Sequence, residues 1–101
     1  MFAISRFRVG QASDFTVRAQ VAVDFFRSRP GCEGAWLLQN LDDPGLWTIT
    51  SKWVDVGSYR RSFNGYDAKL VLVPLLSEAI DEPSAYAEPA EVGENLPRSI
   101  S

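Results

Sequence analysis

Residues 32–53 constrain the fold more than any other stretch. Cys32–Gln39 and Leu46–Trp53 are two runs rich in aliphatic and aromatic side chains, and Asn40–Gly45 between them is built from Asn, Leu, Asp, Pro and Gly. Two extended runs joined by so short a turn can pair only antiparallel, because a parallel return needs a crossover of a dozen or more residues. Within Leu46–Trp53 the strand period puts Trp47, Ile49, Ser51 and Trp53 on one face and Thr48, Thr50 and Lys52 on the other. The rest of the chain has to complete a sheet around this hairpin and cover at least one of its faces.

The flanking segments supply the parts. Phe2–Val9 alternates, with Ala3, Ser5, Phe7 and Val9 on one side and Phe2, Ile4, Arg6 and Arg8 on the other. A helix is expected from about Asp14 to Arg29. Phe15, Ala19, Ala22 and Phe26 form its apolar stripe, Val21 and Phe25 widen it, and Pro30-Gly31 stops it. Asp55 is placed to cap a second helix carrying Tyr59 and Phe63, which ends at Asn64-Gly65. Tyr66–Ile80 suits two short helical pieces, the second restarting at Pro74, and Ser84–Glu88 a short last strand. The order strand, helix, strand, strand, helix, strand implies an α+β, ferredoxin-like βαββαβ domain over residues 1–88. It consists of a four-stranded antiparallel sheet with helices on one face. Residues 89–101 read as a tail, loose or clasping a partner subunit. The other sheet face needs a cover, which argues for a homodimer.

Composition removes whole classes of function. The 101 residues contain no histidine and one cysteine, Cys32. Ser-His-Asp and Cys-His catalysis, a His-based zinc site and an internal disulfide are therefore excluded. A net charge of −3 argues against nucleic acid as the main partner. No apolar run approaches the length needed to span a bilayer, and no signal peptide is visible, so a cytoplasmic protein with no membrane partner is expected. Arg6, Arg8, Arg60 and Arg61 read as solvated or ion-paired charges, Asp42, Asp43 and Asp55 as turn and cap residues, and Cys32 as a buried, inert thiol.

Three stretches together resemble the antibiotic biosynthesis monooxygenase (ABM) domain family. They are Arg29-Pro-Gly-Cys-Glu-Gly-Ala-Trp36, the Asp-Asp-Pro turn at 42–44, and Leu46–Trp53 followed by Val56-Gly-Ser-Tyr-Arg-Arg61. The resemblance covers roughly Phe2 to Tyr86. It implies a dimeric α+β barrel with a ligand pocket between each sheet and its own helices, and no metal or prosthetic group in members that oxidise polyphenols or quinols with molecular oxygen. Heme-degrading relatives use an Asn, a Trp and a His where this chain has Ser5, Ser62 and Leu72, so heme degradation is not expected. Many other members keep a His near the position of Ser62, which is also lacking.

The substrate-pocket candidates are Ser5, Phe7, Trp36, Trp47, Ser51, Tyr59, Phe63 and Tyr66. An aromatic-walled pocket suits a small aromatic or apolar molecule, and small hydroxyls beside it leave space and offer hydrogen bonds. Two functions fit: a cofactor-independent monooxygenase acting on a small aromatic or quinol-type compound, or a non-catalytic small-molecule-binding or structural barrel. No catalytic residue can be named from sequence, and no cofactor is implied.

Overall fold

The computed structural model describes residues 1–10 and 12–92. The elements run β1 (Phe2–Arg8), α1 (Ala12–Arg27), β2 (Cys32–Gln39), β3 (Leu46–Trp53), α2 (Val56–Arg61), α3 (Tyr66–Val71), α4 (Val73–Leu76), β4 (Ala85–Tyr86) and α5 (Pro89–Val92). The sheet order is β2-β3-β1-β4, every neighbouring pair antiparallel. This is the four-stranded α+β arrangement that the hairpin and its flanking segments imply. The two hairpin strands have the bounds read from sequence. α1 sits two residues earlier than expected; of 66–80, expected to be helical, two short helices cover 66–71 and 73–76, with Pro74 in the first turn of α4, and 77–80 is irregular. Of the expected tail, 89–92 forms the helical turn α5, and the remainder lies outside the described residues.

The register explains which side chains enter the core. β1 pairs with β3 so that Ala3 faces Ser51, Ser5 faces Ile49 and Phe7 faces Trp47. The core cluster joins Phe7, Ala35, Ile49 and Trp53 of the sheet to Phe15, Ala19, Ala22, Val23 and Phe26 of α1 and to Ala68, Leu72 and Leu75 of the later helices. Helices thus cover one sheet face. Val23 widens the α1 stripe; Val21, expected there, is half exposed. Val23 follows Ala19 by a full helical turn, while Val21 falls only two residues after it and so about 200° round the helix.

Two backbone features shape the ends of the elements. Gly31 has a φ of 88°, in the left-handed region that favours glycine, and a Cβ there would collide with the Ser58 side chain. The Pro30-Gly31 turn can therefore close against α2. Asp55 caps α2, its carboxylate accepting from the Ser58 amide at 2.7 Å.

A bulge between Cys32 and Gly34 shifts the β2 register. Cys32 pairs with Trp53 on the helix-covered side, but Gly34 pairs with Lys52 and Trp36 with Thr50. The extra residue reverses the side-chain parity of the strand. Trp36 and Leu38 consequently stand on the uncovered face, 42% and 51% exposed.

Candidate functional site

A cleft of about 590 Å³ opens where β1 meets the helical layer. Its floor is Ile4 and Ser5 of β1, its aromatic wall is Tyr59 of α2 with Phe63 just beyond it, and its outer side is the segment 76–84. Asp55 starts α2, and the four-residue spacing of Tyr59 and Phe63 puts both rings on one face, 5.2 Å apart and edge to face. Tyr59 also lies 5.7 Å from Trp53 and 6.3 Å from Phe26, so the wall is continuous with the core.

Burial pushes the Tyr59 phenol above its ordinary value, with hydrogen bonding to the Ser84 side chain pulling the other way. The group stays protonated at neutral pH and acts as a hydrogen-bond donor rather than a base. Ser5 and Ser84 add two hydroxyls to the same cleft.

Segment 77–84 is an irregular strap tied along β1. The Ile80 amide donates to the Arg6 carbonyl at 2.8 Å, and the Ile4 amide donates to the Ser84 carbonyl at 2.7 Å. Between these points Arg6 and Glu82 form a two-pronged ion pair, both contacts 2.7 Å, which holds the Glu82 carboxyl below its usual range. Glu78, at the start of the strap, pairs with Arg18 of α1 and is shifted the same way. Asp81 adds an exposed carboxylate to the rim.

Of the residues singled out from sequence, the cleft brings together Ser5, Tyr59 and Phe63. Phe7 is core, its ring 5.0 Å from Phe15. Ser51 is buried and accepts a hydrogen bond from Trp53 Nε1 at 2.7 Å. Trp47 packs on Phe15 at 5.8 Å, away from the cleft lining, and its indole nitrogen is buried without an acceptor. Trp36 is on the opposite sheet face, for the bulge reason given above. Tyr66 opens α3 and is 74% exposed. Neither belongs to the cleft. Ser62 and Leu72, the two helix-side positions compared with heme-degrading relatives in the sequence reading, are buried, Ser62 donating to the Tyr59 carbonyl. Sequence reasoning missed the strap residues Ile80, Glu82 and Ser84, because Ile80 reads as the end of a helix, Ser84 as the start of the last strand, and 81–83 between them has no periodicity. The only signal was the short distance in sequence between α4 and the last strand. Among the described residues, no cluster of three or more His, Cys, Asp and Glu side chains could hold a metal ion, and no helix is long and apolar enough to cross a membrane.

Solved structures share this architecture. SnoaB, a cofactor-independent oxygenase from Streptomyces nogalater, superposes with a TM-score of 0.73 at 20% identity over 86% of this chain and 90% of its own. A conserved protein from Methanosarcina mazei gives 0.67 at 22% identity over 83% and 84%. Rv0793 from Mycobacterium tuberculosis gives 0.67 at 15% identity over 86% and 92%. No curated protein sequence matches the chain. Residues 2–69 match the family model for antibiotic biosynthesis monooxygenase, a span that runs from β1 through the hairpin and the Tyr59 helix, and the chain therefore belongs to the antibiotic biosynthesis monooxygenase family.

Proposed function

We propose that this protein is a cofactor-independent monooxygenase that binds a small aromatic or quinol-type compound in the cleft between β1 and the helices. The observation that carries the reading is the protonated Tyr59 phenol on an aromatic wall, sharing one cleft with the Ser5 and Ser84 hydroxyls. In such chemistry the deprotonated substrate itself supplies electrons to molecular oxygen. The protein contributes orientation, a few hydrogen bonds to substrate oxygens and shelter from water. Tyr59 would donate to a ring oxygen and Phe63 would pack on the ring. SnoaB, which has the same fold, is a cofactor-independent oxygenase.

A panel of dihydroxyaromatics assayed for oxygen uptake tests this. Uptake well above the buffer blank for at least one compound, reduced at least tenfold in Tyr59→Phe, is expected. Uptake equal to the blank throughout would reject the enzyme.

A second reading, a small-molecule carrier without catalysis, is favoured by two facts: the chain has no histidine, and Glu82 in the cleft is ion-paired with a lowered pKa, the wrong direction for a general base. Saturable quenching of tryptophan fluorescence by the same compounds, with no oxygen uptake, would establish the carrier.

The proposed working unit is a cytoplasmic homodimer. Trp36, Leu38, Phe2 and the paired Thr48 and Thr50 hydroxyls lie on the sheet face that this chain's own helices leave bare. A second copy packed there would complete the barrel, and the tail from residue 89 onward would be free to clasp it.

A further inference from the structure

We propose that the pocket between the C-terminal ends of α1 and α2 is a binding site for a tetrahedral oxyanion, a phosphate or phosphoryl group. It has a volume of about 230 Å³ and is walled by Arg29 and Pro30 after α1 and by Ser58, Arg61, Ser62 and Asn64 in and after α2. It lies apart from the Tyr59 cleft and shares no lining residue with it. The left-handed Gly31 turn, in near contact with Ser58, brings two arginines from separate elements to one cavity.

Arg6, Arg8, Arg18 and Arg27 each have a carboxylate within ion-pair distance. Among the described residues, Arg29, Arg60 and Arg61 have none, although the chain is acidic overall, and two of these three, Arg29 and Arg61, line this one pocket. Arg29 has its carbon centre 5.3 Å from the Phe25 ring centroid, and its Nε is buried with no acceptor. Buried donors are nearly always paired, so an unpaired donor on a residue that lines a cavity points to a missing acceptor. Arg61 makes one long bond, Nη2 to Ser58 Oγ at 3.3 Å, which leaves most of its five donors unused. The nearby Asp55 carboxylate is held by the Ser58 amide and hydroxyl, and Arg61 acts on it only at longer range.

Helix C-termini attract cations, which accounts for arginines at these two positions. It does not supply an acceptor for Arg29 Nε. Two guanidinium forks and the Asn64 amide offer donors from several directions, which matches a tetrahedral oxyanion better than a planar carboxylate.

Isothermal titration of the full chain with inorganic phosphate, against sodium chloride at matched ionic strength, tests the site. Saturable binding of one phosphate per chain is expected. It should weaken at least tenfold in Arg29→Gln and in Arg61→Gln and stay unchanged in Arg60→Gln, an exposed neighbour off the pocket wall. Thermal unfolding in chloride checks that each variant folds; because Arg61 is exposed, Arg61→Gln carries the test if Arg29→Gln does not fold. Glycerol 1-phosphate in a parallel titration separates the two sources: binding as tight as phosphate or tighter indicates a phosphoryl group on an organic molecule, and exclusion indicates the free ion. No saturable heat, or equal affinity in Arg61→Gln and the unaltered protein, would overturn the proposal.

Discussion

Ser51 and Trp53 show how much one hydroxyl can matter here. Both side chains are buried, and the indole N–H of Trp53 has Ser51 Oγ as its acceptor at 2.7 Å. Ser51→Ala removes the acceptor and leaves a buried donor without a partner, which costs about 1–3 kcal/mol. Urea denaturation should show that loss with an unchanged dependence on denaturant concentration. A stability change within about 0.5 kcal/mol of zero, the range of an ordinary surface substitution, would mean that water reaches the indole. Strand parity puts Ser51 on the helix side, and the structure agrees. Its bond to a tryptophan two residues along the same strand depends on the rotamers of both side chains, and those are set by Phe26 and the packed helices around them.

The strap 77–84 is the element whose behaviour should depend most on pH. It is tied to β1 by two backbone bonds and the Arg6–Glu82 pair, and to α1 by Arg18–Glu78. Both glutamates lie below their ordinary value of 4.5 in the folded protein. A released strap binds the proton more readily, so the tie is fully present above about pH 4.5 and is lost as pH falls through the lower, folded values. Both pairs are solvent-exposed, so the tie is weak and screened by salt. Hydrogen exchange should show the Ile4 and Ile80 amides losing protection below pH 4.5, before the amides in the middle of α1. Glu82→Gln should reproduce that loss at neutral pH; equal protection in the variant would show that the ion pair does not hold the strap. Neither Arg6 nor Glu82 is legible as a pair in sequence. They are 76 positions apart and meet only because the last strand returns beside the first.

At the scale of the whole molecule, the chain covers one face of a four-stranded sheet and leaves aromatic and aliphatic side chains on the other. If a second copy covers that face, as proposed, a charge placed there should separate the two. Trp36→Asp is expected to reduce the mass measured by light scattering at micromolar concentration from two chains to one. Val17→Asp, at a position 66% exposed on the outer side of α1, should leave it at two. A mass of one chain for the unaltered protein would remove the dimer. The same comparison bears on the Trp36 assignment. Trp36-Leu37-Leu38 is a continuous apolar run, so periodicity could not say which of the three faces the helices, and the bulge after Cys32 decided it.

Local chemistry alone was enough to determine the hairpin, the amphipathic first helix, the Asp55 cap and hence the antiparallel α+β layer, because turn residues and apolar spacing act over a few positions. The same local signals placed Ser5, Tyr59 and Phe63 as candidates, since strand parity and helical spacing are readable over short distances. What tertiary structure alone decided is the company these residues keep: the strap that closes their cleft, the face on which Trp36 stands, and the meeting of Arg29 with Arg61. Each of these depends on a register shift or on chain segments far apart in sequence, and contacts of that kind leave no periodic trace in the residues that make them.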